Sequence, residues 1–430
     1  MTSEEAVGKA ALKKARGPLA GSLVSMMAVQ ATLVVTGVVT ARALGVEGRG
    51  IFALVTLVST IGGIAGGLGI PYALSFVVAR EPERVVSAVT SSARMVLVPG
   101  LVMMLVGASL VLAAGEGSLA AAITALSVVT TIMLELCLAT WQGLKQFTPY
   151  NLMRPVPNSL FAIVLVPVWI WADAALAMVL CLWGASRLIA GILCLLMQRR
   201  RLRGERLPEQ EERRLRTFGL KSILGAASPV ETFRLDQALV AILLSRSDLG
   251  LYAAALAFTN FPRFLAQAIG SVAAPFVASA PGEERVRLMW RITLITIPIY
   301  LIPILLLILV SPRAMTLLFG EEFETAGSIA QIMLAGTAAY SGRRVLSDCG
   351  RSAGYPTATS KAEVVSLGAS IVLGAGLGFL AGGLSGIAYG LAAGSLVALA
   401  YLLLALRRAV KVPPTWLPPL SMSAAEVTEQ

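Results

Sequence analysis

Apolar stretches of about twenty residues follow one another along almost the whole chain, and this recurrence constrains the fold more than any other feature. A helix of about 20 largely apolar residues crosses the roughly 30 Å hydrocarbon core of a bilayer. On that ruler the sequence predicts spans at 19–41, 51–79, 92–114, 119–144, 156–172, 174–198, 218–245, 250–279, 290–311, 325–346, 361–381 and 384–406, about twelve helices. With 57% hydrophobic and 14% charged residues, a soluble domain would expose mostly hydrocarbon. The expected class is an all-α polytopic membrane protein.

The cations fix an expected topology. Placing the N-terminus inside puts about 28 of the 35 Lys and Arg in cytoplasmic segments: the N-terminus, 80–94, 145–154, 199–221, 285–291, 343–361 and 407–411. Cytoplasmic loops of membrane proteins accumulate such residues, so both termini are expected in the cytoplasm. The same bias accounts for the net charge of +11 without a nucleic-acid partner. The N-terminal segment with Lys9, Lys13, Lys14 and Arg16 reads as a basic lead-in to a retained first span, not as a removed signal.

The largest hydrophilic insert, Gln198 to Arg216, divides the chain almost evenly. It reads as a solvated linker that fixes topology, with contact to anionic lipid or a partner helix as alternatives. The expected organisation is an N-terminal lobe (1–198), a basic linker (199–217), a C-terminal lobe (218–408) and a cytoplasmic tail (409–430). The halves echo each other. Leu44, Gly50, Ile51, Phe52 and Ala53 match Leu244, Gly250, Leu251, Tyr252 and Ala253 at a constant offset of 200. Gly143 and Pro149 match Gly350 and Pro356 with the same internal spacing. Such ordered repeats predict two pseudo-symmetric six-helix lobes, an arrangement in which transporters place their substrate site between the halves.

Several chemistries are excluded. The chain has no histidine, and Cys137, Cys181, Cys194 and Cys349 are scattered without metal-ligand spacing. No phosphate-cradling glycine–lysine loop, zinc signature or nucleophile with a plausible base is present, so no cofactor is expected.

Polar groups within the apolar runs are the candidate site. Asn260, Arg263, Gln267 and Ser271 share one helical face of a long apolar segment. A cation at mid-bilayer costs about 2.5–3.5 kcal/mol on insertion scales, so it faces a protein interior or a wet cavity. Arg263 is therefore either tied to neighbouring carbonyls or carboxylates, or part of a cavity wall. Arg234 lies in the seventh span, with Glu231 three residues before it in position for an intrahelical ion pair. Asp236 points elsewhere on that helix, to hold a cation or proton or to bond another helix. Ser22, Ser25, Thr32, Thr36 and Thr40 form a stripe in the first span; such hydroxyls bond their own backbone or a neighbouring helix, or line a cavity. Glu135 and Arg187 are read as stabilising their own lobe. The Gly62/Gly66, Gly63/Gly67 and Gly374/Gly378/Gly382 spacings read as close-packing surfaces.

Three segments then resemble one family. The first hairpin, TARALGVEGRGIFALVTLVSTIGGIAGGLGIPYALSFVVAR (40–80), resembles the opening of polysaccharide-type flippases of the multidrug/oligosaccharidyl-lipid/polysaccharide (MOP) superfamily. FRLDQALVAILLSRSDLGLYAAA (233–255) is similar to their seventh helix and following turn, and RVLSDCGRSAGYPTATSKAEVVSLGASIVL (344–373) to their tenth-to-eleventh helix connection. The resemblance implies a two-lobed flippase that carries oligosaccharide linked to a polyprenyl pyrophosphate from the inner to the outer leaflet of the cytoplasmic membrane. Its implied partners are membrane lipid, glycosyltransferases and a polysaccharide polymerase. About twelve spans depart from the fourteen of lipid II flippases, and the first span lacks the acidic pair of multidrug exporters.

For such a cargo Arg263 is the expected phosphate anchor, with Arg234, Asn260, Gln267, Ser25, Thr32 and Thr36 as substrate-binding candidates and Asp236 and Glu231 as coupling candidates. A multidrug exporter would instead call for acidic cavity groups. A membrane-embedded polymerase or ligase would call for a large outward loop, and every outward loop is short.

Overall fold

The computed structural model describes residues 3–172, 174–225, 233–280, 282–380 and 382–410. They form α-helices joined by short turns: α1 Ser3–Gly67, α2 Ile70–Arg80, α3 Val85–Ala113, α4 Gly117–Gly143, α5 Phe147–Met153, α6 Val156–Trp171, α7 Leu176–Gln198, α8 Glu209–Gly225, α9 Leu235–Leu243, α10 Arg246–Ser279, α11 Gly282–Phe319, α12 Glu324–Ser352, α13 Pro356–Leu380 and α14 Gly383–Ala409.

Among the described residues, nine helices are long and apolar enough to cross a membrane. Three features separate that number from twelve. α1 counts once although it is broken at Gly45 (φ 64°, ψ −173°), inside the expected turn. The expected continuous span 218–245 does not form: α8 ends at Gly225, and Arg234 has a φ of 46°, leaving α9 only nine residues long. α12 is 29 residues long but carries polar groups throughout, among them Gln331, Thr337, Arg343 and Asp348. The expected span 51–79 is also divided, because Leu68 and Gly69 take positive φ values of 48° and 66° between α1 and α2.

The chain divides into two compact units, Met1–Phe258 with Pro312–Ile329, and Thr259–Ser311 with Ala330–Gln430. In the first unit Phe52 stacks on Phe161 at 5.8 Å and meets Trp183 edge-on at 5.9 Å, which ties α1, α6 and α7 into one core. The glycine pairs of α1 serve close packing. A Cβ on Gly62 or Gly63 would lie 2.8 Å from Val128 or 2.5 Å from Thr131 of α4.

The two segments that echo one another in sequence meet in this unit. A Cβ on Gly50 would lie 1.9 Å from the carbonyl oxygen of Arg246, and one on Gly250 would lie 2.0 Å from that of Val46. These contacts exchange under the offset of 200, so α1 and α10 cross as reciprocal copies. Nearby, Arg42 donates to the carbonyls of Leu317 and Leu318, and the Val46 N–H donates to Glu322 at 3.3 Å. Arg246 donates to Glu116 and to the Ala114 carbonyl.

The linker is more ordered than a solvated tether. α8 lies against α2: Phe218 stacks on Phe76 at 4.9 Å, Arg84 pairs with Glu211 at 2.7 Å, and Leu207 and Leu215 are buried. Of the readings open for this insert, the contact observed is with a partner helix.

In the second unit, Ala266, Val277, Met289, Val345, Leu346, Leu402 and Leu406 form the core. α13 and α14 pack backbone to backbone, as the spacing of Gly374 and Gly378 leads one to expect, whereas Gly382 of the same expected set lies in the turn before α14, where a Cβ would meet nothing within 4 Å. A Cβ on Gly386 or Gly390 would lie 2.2 Å from the carbonyl oxygens of Leu377 and Leu373 respectively. Gly390→Ala therefore has to push the helices apart. It is expected to cost about 1–3 kcal/mol, read as a lowered thermal-unfolding midpoint of the detergent-solubilised protein.

Candidate functional site

Each unit gathers arginines within its helices. In the second unit α10 presents Asn260, Arg263 and Gln267, all half-buried. Arg263 Nε donates to Thr337 Oγ1 at 3.3 Å, and Thr337 in turn donates to the Met333 carbonyl at 2.8 Å. The Arg263 guanidinium carbon lies 5.4 Å from the centre of the Tyr340 ring. Arg343 approaches the same ring at the same distance.

Two cations about one ring are attracted to its π-face yet repel each other. They stand no more than twice 5.4 Å apart, which costs at least about 1.5 kcal/mol at an effective dielectric near 20. Arg343 is 2% exposed and its charge is balanced by Glu363 of α13 at 2.5 Å. Arg344 pairs with Asp348 at 3.1 Å. Asp348 fits there because Gly270 has no side chain; a Cβ would lie 2.4 Å from its carboxylate. Among the described residues no carboxylate pairs with Arg263, whose partners are a hydroxyl and a ring. That charge is available to an anion.

Sequence reasoning counted Arg343 and Arg344 as cytoplasmic loop cations. Both lie inside α12, and their spacing from Tyr340 and Thr337 at i+3 and i+7 was the signal that could have placed them on one face.

In the first unit, Arg234 lies close enough to Arg49 and Arg187 to repel their charges. Arg49 is 9% exposed, sits 5.5 Å from the Phe52 ring, and among the described residues its Nε has no hydrogen-bond partner. Arg234 is not in mid-helix, as expected from sequence; it is the left-handed residue that precedes α9. Glu231, its expected intrahelical partner, lies outside the described residues. Asp236 accepts a hydrogen bond from the Tyr252 hydroxyl at 3.0 Å, so it bonds a neighbouring helix.

The hydroxyl stripe of α1 is engaged with its own backbone. Thr32, Thr36 and Thr40 donate to the carbonyls of Ala28, Thr32 and Thr36 at 2.9, 2.7 and 2.6 Å. Ser25 is the exception in that stripe: it is buried, and among the described residues its Oγ has no hydrogen-bond partner. The structure thus brings Arg263, Asn260 and Gln267 together in the second unit, and keeps Arg234, Asp236, Ser25, Thr32 and Thr36 in the first.

A family model described as polysaccharide biosynthesis protein matches residues 19–281. The chain belongs to the polysaccharide biosynthesis protein family. No curated protein matches the sequence. Solved structures show which fold this family member adopts. It is similar to an inward-facing multidrug resistance MATE family transporter of the MOP superfamily at 16% identity and a TM-score of 0.67, covering 91% of this chain and 99% of that one. It is similar to the lipid II flippase MurJ in an inward closed conformation at 14% identity and a TM-score of 0.69, covering 89% and 87%. A MATE bound to MaL6 gives 14% identity and a TM-score of 0.62, over 92% and 96%. This polysaccharide biosynthesis protein is therefore an all-α, multi-pass membrane protein with the fold that those solved structures share.

Proposed function

We propose that this protein is a flippase that carries oligosaccharide linked to polyprenyl pyrophosphate from the inner to the outer leaflet of the cytoplasmic membrane. In this reading the membrane spans form two lobes, 1–198 and 218–408, joined by the 199–217 linker, with both termini cytoplasmic. The lobes alternate access, and no cofactor takes part. Glycosyltransferases supply the cargo and a polysaccharide polymerase consumes it.

The observation that carries the reading is an arginine inside a helix that, among the described residues, has no carboxylate partner. Arg263 touches Thr337 and Tyr340, and Asn260 and Gln267 share its face. A diphosphate in hydrocarbon lacks partners for its charge, and a guanidinium supplies paired donors in the geometry phosphate accepts. Arg234 is a second phosphate candidate, and Ser25, Thr32 and Thr36 retain hydroxyl oxygens that accept from sugars. Asp236 and Glu231 are the coupling candidates. Membership of a polysaccharide biosynthesis family and a fold shared with a lipid II flippase support a lipid-linked cargo. A cationic drug would meet guanidinium groups of its own sign.

Moving about two negative charges outward against an inside-negative potential releases up to roughly 4.6 kcal/mol at 100 mV. Proteoliposomes loaded with lipid-linked oligosaccharide are therefore expected to flip faster under an inside-negative potential, and depletion in cells is expected to accumulate inward-facing lipid-linked sugar. Absence of flipping, with unchanged inward-facing lipid-linked sugar after depletion, would overturn the reading.

A further inference from the structure

The first unit holds a polar cavity that the reading above does not use. Segments of α2, α4, α5, α6 and α7 enclose about 310 Å³, within the range of sites for small ligands. Its wall carries Glu135, Arg154 and Arg187, the phenols of Tyr72 and Tyr150, and the amide of Asn158. A second cavity in the same unit, about 270 Å³, is walled by Val96, Leu101, Ile132 and other apolar groups. Only the first therefore suits a hydrophilic occupant.

Its charges are held apart. Arg187 donates to Thr131 at 3.3 Å and lies 5.0 Å from the Trp183 ring, and among the described residues its Nε has no hydrogen-bond partner. Arg154 lies 6.0 Å from the Tyr150 ring. Glu135 shares that wall with both arginines, yet no ion pair joins them among the described residues, and more than a third of Glu135 remains accessible. Two guanidiniums and one carboxylate facing a shared space leave one net positive charge. Separated charges of this kind are costly unless a polar occupant satisfies them.

The side chains also fit an occupant by chemistry. Guanidinium forks take a phosphate or carboxylate. A carboxylate and an amide accept from hydroxyls, and a phenol ring offers an apolar face with a polar tip. We propose that this cavity binds a sugar bearing one anionic group, with Arg154 and Arg187 on the anion and Glu135, Asn158 and the two tyrosines on the hydroxylated ring. As a place for the cargo's headgroup this rests on the flippase reading; as a binding site it does not.

The test is thermal unfolding of the full-length protein in detergent, titrated with glucose 1-phosphate, glucuronate, glucose or inorganic phosphate. Ligand that binds only the folded state raises the midpoint in proportion to ln(1 + [L]/Kd). Both sugar anions are expected to raise it at millimolar concentration, and glucose or phosphate alone to raise it less. If glucose 1-phosphate exceeds glucuronate the anion is a phosphate, and the reverse order makes it a uronate. Arg154→Lys, which keeps the charge but loses the fork, is expected to weaken binding about tenfold, Arg187→Gln to remove it, and Arg287→Gln, at an exposed arginine beside Glu283, to leave it unchanged. No shift with any sugar anion, or a shift indifferent to Arg154→Lys, would overturn the site. Binding that persists while vesicles fail to flip lipid-linked sugar would sink the flippase reading and leave the site standing.

Discussion

Gly50→Val and Gly250→Val are each expected to slow flipping by about 5–150-fold while the protein still inserts and accumulates in the membrane. The Cβ of either would lie 1.9–2.0 Å from a backbone carbonyl oxygen of the crossing segment, whereas carbon and carbonyl oxygen rest at about 3.3–3.6 Å even in close Cα–H contacts. Backbone cannot swing away as a long side chain does, so α1 and α10 must part by more than 1 Å. Overpacking of this kind costs about 1–3 kcal/mol or more, and a difference of that size displaces a two-state equilibrium by about 5–150-fold. Under the proposed mechanism the conformer with these segments pressed together is one half of the cycle. Depleting it slows turnover in proportion, without unfolding the helices. Gly368→Val is the matched control, because a Cβ there meets nothing within 4 Å. The measurement is flipping in proteoliposomes alongside the thermal-unfolding midpoint. Normal flipping by both variants would show that this crossing is not part of the cycle.

That crossing was half-legible in the sequence. The offset of 200 between Gly50 and Gly250 announced a repeat, but nothing in the spacing said that each glycine would press on the carbonyl opposite its twin. Hydropathy located most of the helices, because crossing a bilayer demands long apolar runs. It failed where polar residues lie inside helices. α12 reads as a shorter span followed by a loop because Arg343, Arg344, Asp348 and Arg351 look solvated; the partners that make them tolerable, Tyr340 and Glu363, include one from another helix. Arg263 was found because a cation in an apolar run must have a reason. Glu135 and Arg187 gave the same signal and were assigned to structural duty, since the residues that turn them into a cavity wall come from α2, α5 and α6. Pair spacing along one helix reports on one face. It carries no information about which other helices share the space.

The Tyr340 cluster separates binding from stability, and two substitutions pull these apart. Arg343→Ala is expected to lower stability by about 3–5 kcal/mol, because it removes the guanidinium 2.5 Å from Glu363 inside the second unit. Arg263→Ala removes only a 3.3 Å hydrogen bond to Thr337 and a ring contact, together worth about 1–2 kcal/mol. Its effect on function should be the larger, since a charged partner lost from a desolvated phosphate costs about 2–5 kcal/mol. That corresponds to a flipping rate lower by roughly 30-fold to several thousand-fold at about 1.4 kcal/mol per decade. Arg263→Lys keeps the charge but not the fork and should fall between. The double variant Arg343→Met/Glu363→Leu replaces the ion pair by apolar groups, which is often neutral or stabilising, so it should recover the midpoint that Arg343→Ala loses. If it also flips at the native rate, Arg343 acts as support for Tyr340 and the anion belongs to Arg263 alone. If Arg263→Ala flips normally, the phosphate is held elsewhere, and the cation on α10 balances some charge within the fold.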